Sequence, residues 1–182
     1  MYIKTNTTKE QFDEYGYAYL ENIISEQLCE NFTKIMLEYK NNNKLTFENI
    51  SNSDMYKNSY GTGNIPEIES FLKEITEELL SYFDLNCKIS NSYTRIYYNG
   101  GTLKPHVDRP GLDYTLSITL FSNLKKEWPL YAIDKKGNQI KSNINRGDGL
   151  LILGTKMQHW RDQLICADDE YVVQLFLHWT NI

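Results

Sequence analysis

The sequence is poor in several groups on which whole classes of function depend. Its 182 residues contain three cysteines, Cys29, Cys87 and Cys166, odd in number, widely spaced and without a Cys-x-x-Cys pair. Such a set reads as reduced thiols of a cytoplasmic protein. Basic residues are in the minority, 19 Lys and Arg against 24 Asp and Glu, giving a formal net charge of −5. This lowers the case for a nucleic-acid backbone as partner, which a basic surface would attract. The start, Met1 to Asn6, lacks the charged-then-apolar order of a signal segment, and no apolar run approaches the length of a membrane span. Histidine is scarce too: only His106, His159 and His178.

What is present fits one domain spanning 1–182, with a hydrophobic fraction of 41 % that suits a globular core. Residues 1–87 read as mainly helical support and 88–182 as a β core. Gly16–Leu20 suggests a short strand. Ser25 opens a helix to about Tyr39, with Leu28, Phe32, Ile35 and Met36 on one face, and Asn41 to Asn43 end it. The polar stretch to Asn64 reads as loop. Pro66 starts a second amphipathic helix through Ile68, Phe71, Leu72, Ile75 and Leu79 to about Tyr82. Beyond Cys87, short β segments separated by Gly, Asn and Pro turns are expected at 88–98, 114–121, 128–133, 149–153, 158–161 and 171–179. Together they suggest a mainly β fold with N-terminal helices, a helix-buttressed jelly-roll.

Strand periodicity divides these segments into two faces. Leu116, Ile118 and Leu120 oppose Thr115, Ser117 and Thr119. Val173, Leu175, Leu177 and Trp179 oppose Val172, Gln174, Phe176 and His178. Tyr93, Arg95 and Tyr97 share a third stripe. The polar stripes either line a pocket that holds a polar ligand or simply meet solvent. His159 and Arg161, two apart and so on one face, favour the pocket.

Two of the three histidines fall in a His106-x-Asp108…His159 pattern. Two imidazoles and a carboxylate on one face of a metal ion leave three positions open, the set used by non-haem Fe(II) oxygenases. Spacing two at a strand end lets His106 and Asp108 reach one ion. His159 follows the Gly147-Asp148 turn and the apolar run Leu150–Leu153. Zinc accepts the same donors, and His159 taken alone also suits a buried or edge histidine bonded to backbone.

Tyr93-x-Arg95-x-Tyr97-Tyr98-Asn99-Gly100-Gly101-x-Leu103-x-x-His106-x-Asp108-Arg109, with Gly147-Asp148 and His159-Trp160-Arg161, resembles the Fe(II)/2-oxoglutarate-dependent dioxygenases, most closely their prolyl-4-hydroxylase-like branch. The resemblance covers about residues 93–179 and, more loosely, the strand at Gly16–Leu20 with its following helix. It implies a double-stranded β-helix, Fe(II) held by His106, Asp108 and His159 as catalytic and metal residues, 2-oxoglutarate as cosubstrate and ascorbate as reductant. Hydroxylation of a small polar molecule or a peptide side chain would follow, with release of succinate. A carboxylate ligand, where a halogenase needs a vacant site, favours hydroxylation. Members usually place Arg or Lys near the start of the last strand to bind the far carboxylate of 2-oxoglutarate, but here Asp168-Asp169-Glu170 stand there. Arg161 is the replacement expected, with Arg95 second, and Tyr97, Ser117, Thr119 and Gln174 sit where the family contacts the cosubstrate. A surface salt bridge to Asp162 or Asp169 is the other reading of Arg161.

Arg109 either meets an anionic substrate at the pocket mouth or pairs with Asp113. Trp160 and Trp179 read as packing, and His178 as a satisfied structural histidine. The rival functions are a non-catalytic jelly-roll that binds a small ligand, and a zinc hydrolase using Glu127 or Asp113 as base.

Overall fold

A computed structural model describes residues 3–48 and 56–182, with Tyr56 described in its backbone alone. Three helices and ten strands follow in the order α1 (Lys9–Tyr15), β1 (Tyr17–Leu20), α2 (Glu26–Asn41), β2 (Thr46–Glu48), β3 (Tyr56–Gly63), α3 (Pro66–Phe83), β4 (Cys87–His106), β5 (Tyr114–Ser122), β6 (Leu130–Ile133), β7 (Gln139–Ser142), β8 (Gly149–Ile152), β9 (His159–Arg161) and β10 (Val172–Asn181). No described helix is long and apolar enough to cross a membrane.

The helices form where the sequence signals them. Ser25 caps α2 by accepting from the Leu28 N–H, and Cys29, Phe32 and Met36 bury its inner face. Pro66 begins α3 where its missing N–H costs nothing, and Ile68, Phe71, Leu72, Ile75, Leu79 and Phe83 line the buried side. The helix α1, with a Thr8–Gln11 capping box, and strand β7 were not expected from the sequence.

The strands make one curled antiparallel sheet, ordered β1-β8-β5-β10-β4-β9-β6-β7, with β3 joining β4 and β2 joining β3. The region to Asn64 is therefore not all loop: β2 and β3 form a paired ribbon on β4. Its Tyr60 and Phe47 rings lie 4.7 Å apart. Polar composition hid the ribbon because one of its faces meets solvent. The part of the expected loop at 49–55 lies outside the described residues.

One long strand joins the two halves of the curled sheet. β4 runs 20 residues. Its first half pairs with β10, and its far end pairs with β9 through Leu103↔Arg161 and His106↔His159. Gly100, at φ +81°, and Gly101 sit where the strand changes partners. The sheet's convex face packs on the helices through Ile96, Leu116, Ile118, Leu120, Val173, Leu175, Leu177 and Trp179. A smaller apolar cluster of Leu103, Leu130, Ala132, Leu150, Ile152 and Met157 fills part of the concave side. The remaining concave positions carry the polar stripes, so the polar face encloses a pocket rather than meeting solvent.

Candidate metal centre

His106 ends β4 and His159 opens β9, and the two are register partners in the antiparallel ladder. Cross-strand partners present their side chains side by side on one face, and here the imidazole centroids are 4.3 Å apart. Asp108 follows in the tight turn after β4, its N–H donating to the Gly154 carbonyl at 2.8 Å. Its Oδ1 lies 3.6 Å from His106 Nε2 and 3.8 Å from His159 Nε2. One potential ligand atom from each of the three side chains falls within 4.8 Å of the others.

Both rings are oriented by backbone. His106 Nδ1 lies 2.9 Å from the Lys104 carbonyl and His159 Nδ1 3.0 Å from that of Met157. A carbonyl only accepts, so each Nδ1 carries a proton and each Nε2 is the nitrogen turned toward Asp108, the one a neutral ring would offer to a metal. Burial works to raise the Asp108 pKa, but His106, His159 and Thr115 outweigh it and hold the carboxyl at about 2. Burial lowers the pKa of His159, opposed by the Asp108 carboxylate. A carboxylate and two imidazoles whose Nε2 atoms face it form a donor set that suits a divalent ion.

Two supports of this arrangement went unnoticed in the sequence. The Thr115 hydroxyl donates to Asp108 Oδ2 at 2.5 Å. A Cβ on Gly154 would fall 2.5 Å from the same oxygen and 2.7 Å from Thr115 Oγ1, so only glycine leaves the carboxylate its place. The available signals were the inward stripe on which Thr115 stands and the glycine that ends the apolar run.

The three side chains line a cavity of about 260 Å³ together with Glu48, Asn91, Tyr93, Arg95, Ser117, Phe176 and His178. Arg109 lies exposed at its rim. Asp113 does not pair with Arg109; it accepts from Thr155, Thr180 and the Asn181 N–H. Arg95 is buried and ion-paired to Glu48 at 2.8 Å, so its charge is already answered. Asp113 and Glu127 do not line this cavity, which leaves a hydrolase reading without its suggested base.

Arg161 occupies the inner end of the barrel, 3 % exposed, which removes the surface salt bridge. Its guanidinium donates to the Trp128 carbonyl at 2.5 Å and to Gln174 Oε1 at 3.2 Å, and lies 4.7 Å from the Trp128 ring centre. Gln174 in turn donates to Thr119 Oγ1 at 2.9 Å. Arg161, Gln174 and Thr119 line a second cavity of about 320 Å³, whereas Ser117, two residues along the same face of β5, lines the first. Among the described residues no carboxylate pairs with Arg161. Burial, opposed only by Tyr97, brings its pKa down to about 10. Arg161 Nε, Tyr97 Oη and Ser117 Oγ are buried without a hydrogen-bond partner among the described residues.

The acidic run does not reach the barrel. Asp168 and Asp169 are exposed, and Glu170 is tied into the loop by the N–H groups of Lys125 and Ala167. The inward residues that begin β10 are Val172 and Gln174. Gly147 and Asp148 serve the scaffold: the Asp148 carboxylate accepts from Tyr19 Oη and the Asn22 N–H at 2.7 and 2.8 Å, fastening β1 beside β8. Trp179 is core, and Trp160 stacks on Tyr131. His178, expected to be purely structural, faces the first cavity.

No protein-family model matches the sequence, and no curated protein does. Solved structures do. A prolyl-4-hydroxylase from Pseudomonas putida superposes with a TM-score of 0.76 at 10 % identity, covering 96 % of this chain and 97 % of the other. A prolyl hydroxylase from Trichoplax adhaerens, solved with a hypoxia-inducible-factor peptide fragment, gives 0.72 at 14 % identity over 95 % and 88 %. HygX from Streptomyces hygroscopicus, solved with nickel, 2-oxoglutarate and hygromycin B bound, gives 0.66 at 10 % over 96 % and 87 %. The chain thus has the fold of the 2-oxoglutarate/Fe(II) oxygenases, a jelly-roll of the prolyl-hydroxylase-like kind.

Proposed function

We propose that the protein is a non-haem Fe(II)- and 2-oxoglutarate-dependent dioxygenase that hydroxylates a small polar molecule or a peptide side chain. The observation that carries this reading is a buried guanidinium without a carboxylate, Arg161, in the barrel that also holds His106, Asp108 and His159 about one point. A binding module has no need of an open facial donor set. A buried charge with neutral acceptors but no counter-charge among the described residues is costly, so Arg161 invites an anion.

The residues fit both groups. His106 Nε2, His159 Nε2 and an Asp108 oxygen would hold the iron and leave three positions open. Arg161 would grip the far carboxylate of 2-oxoglutarate, because a planar fork matches a carboxylate. Tyr97 Oη and Ser117 Oγ, both without partners, would supply further hydrogen bonds, with Thr119 and Gln174 behind them holding the guanidinium in place. The ion, Asp108, the dianionic cosubstrate and Arg161 are together neutral, which suits an enclosed site. Arg95, committed to Glu48, is the weaker anchor. Arg109, at the rim, is placed to meet the polar or anionic part of a substrate.

When bound, the iron supplies the O2 chemistry, and the balanced reaction consumes substrate C–H, O2 and 2-oxoglutarate to give the alcohol, succinate and CO2. The chain's own contribution is position: backbone carbonyls fix both imidazole tautomers, Thr115 and Gly154 set the carboxylate, and the apolar wall of Leu103, Leu130 and Ile152 restricts water. The two oxygenase neighbours solved with a peptide fragment and with hygromycin B leave both substrate classes open for this chain.

Anaerobic addition of Fe(II) and 2-oxoglutarate to the purified protein should produce a visible metal-to-ligand band. Admission of O2 with ascorbate should then release succinate even without the true substrate. Absence of 2-oxoglutarate binding by calorimetry would turn the reading toward a binding module. Tight zinc binding without the band would turn it toward a hydrolase.

A further inference from the structure

One row of the sheet carries groups that the oxygenase reading leaves unused. Thr115 on β5, His178 on β10 and Asn91 on β4 are successive cross-strand partners. All three line the cavity that holds His106, Asp108 and His159. Thr115 holds Asp108; His178 and Asn91 continue the row away from it. Just beyond, between His178 and Trp179, the β10–β4 register slips, an irregularity of the kind that re-aims side chains next to active sites.

Both groups present acceptors. His178 Nδ1 lies 3.2 Å from the Asn91 carbonyl, so it carries the proton and leaves Nε2 as a lone pair. That nitrogen has no hydrogen bond to any described residue. Asn91 Oδ1 is buried without a partner, its amide nitrogen donating to the Ser92 carbonyl at 3.4 Å. A buried acceptor left unfilled, as Asn91 Oδ1 is among the described residues, is costly, and with His178 Nε2 open to the same cavity at the same register position the pair calls for donors from a ligand.

The local charges decide what kind of donor. Glu48 and Arg95 neutralise each other at 2.8 Å. Asp108 faces this wall too, and a divalent ion held there would more than offset its charge; Arg109 at the rim has no carboxylate among the described residues, so with the ion bound the field over this wall is positive. It disfavours an ammonium group and leaves an uncharged O–H or N–H as the matching donor.

We infer that Asn91 Oδ1 and His178 Nε2 determine substrate specificity by accepting hydrogen bonds from an uncharged donor, an alcohol or an amide, seated beside the metal. The inference rests on the oxygenase reading for the position of the metal and adds the substrate class. An ether or hydrocarbon analogue would leave both acceptors unfilled, and an amine would meet Arg109.

The test uses the full chain loaded with Mn(II) and ligand-observed proton relaxation of four probes of matched size: cyclohexanol, cyclohexanecarboxamide, cyclohexyl methyl ether and cyclohexylamine. Cyclohexanol, cyclohexanecarboxamide or both should relax about fivefold more than the ether and the amine, the worth of one hydrogen bond. Which of the two leads tells an alcohol substrate from an amide. His178→Phe and Asn91→Leu should each abolish the preference, whereas His178→Gln, which restores an acceptor oxygen, should recover part of it. Circular dichroism and Mn(II) titration check folding and metal loading in each variant. Should His178→Phe fail to fold, Asn91→Leu, at a partly exposed position, carries the test. Equal relaxation of all four probes, no relaxation of any, or a preference unchanged in the folded variants overturns the inference. Calorimetry of 2-oxoglutarate on the same wild-type protein separates the two readings. Donor selectivity without cosubstrate binding overturns the oxygenase alone, and cosubstrate binding without selectivity overturns this inference alone.

Discussion

Replacing Gly154 by alanine adds a single methyl group at the one place where the Asp108 carboxylate has no room to yield. The new Cβ would stand 2.5 Å from Asp108 Oδ2 and 2.7 Å from Thr115 Oγ1, and closer still to the Leu112 carbonyl oxygen. The carbonyl belongs to backbone, and Gly154 itself is tied by its N–H to Asp113 at 2.9 Å and by its carbonyl to the Asp108 N–H at 2.8 Å. Neither side can retreat cheaply, so Asp108 must rotate away from Thr115 and from the two imidazoles. Overpacking of this kind costs about 1–3 kcal/mol of stability. Loss of a group that orients a metal ligand costs about 10–100-fold in metal affinity. Calorimetric titration with Co(II), an air-stable substitute for Fe(II), and thermal denaturation of the metal-free protein read the two effects separately. Thr115→Val should lower metal affinity in the same direction, and Thr115→Ser should retain it. Gly154→Ala with wild-type metal affinity and wild-type Tm would refute the geometry assigned to Asp108.

Arg161→Ala should weaken 2-oxoglutarate binding about thirty- to a thousandfold, the loss of about 2–4 kcal/mol of charge-assisted contact, while Co(II) affinity stays near wild type. Arg161→Lys should recover only part because a point charge replaces a fork; unchanged affinity in Arg161→Ala would move attention to Arg95. Burial lowers the pKa of both His159 and His178 below the ordinary histidine value. The unfolded chain therefore binds more protons, so their stabilising share is present above that value and is lost as pH falls below it. The Tm of the metal-free protein should drop through the range just below pH 6.5, less steeply in His178→Gln, and a flat profile there would count against neutral buried imidazoles. Asp148→Ala should cost about 1–3 kcal/mol by stranding the Tyr19 hydroxyl and the Asn22 N–H, measured by urea denaturation, with Co(II) affinity unaffected because Asp148 works on the scaffold side of β8.

The parts of this protein legible in its sequence are those governed by local rules. Capping by Ser25, the proline at the start of α3 and the 3.6-residue apolar spacing made α2 and α3 readable, and period-two alternation separated the faces of β4, β5 and β10. The His106-x-Asp108…His159 pattern was visible because spacing of two at a strand end has only a few geometric outcomes. The β2–β3 ribbon was not visible, since a polar strand with one solvated face has no apolar stripe to announce it. Nor were the roles of Thr115, Gly154, Asn91 and His178 visible, because each depends on which strand lies next to which. That adjacency is decided when the convex face collapses on the helices and β4, bending at Gly100 and Gly101, pairs with β10 before the bend and with β9 beyond it. Only then do residues distant in sequence become neighbours: His106 beside His159, Thr115 against Asp108, and Arg161 enclosed at the barrel's end instead of salt-bridged at the surface. The sequence by itself determined which side chains share a face of their strand. The tertiary structure alone decided which of them meet, since cross-strand register is a property of the whole curled sheet and not of any single strand.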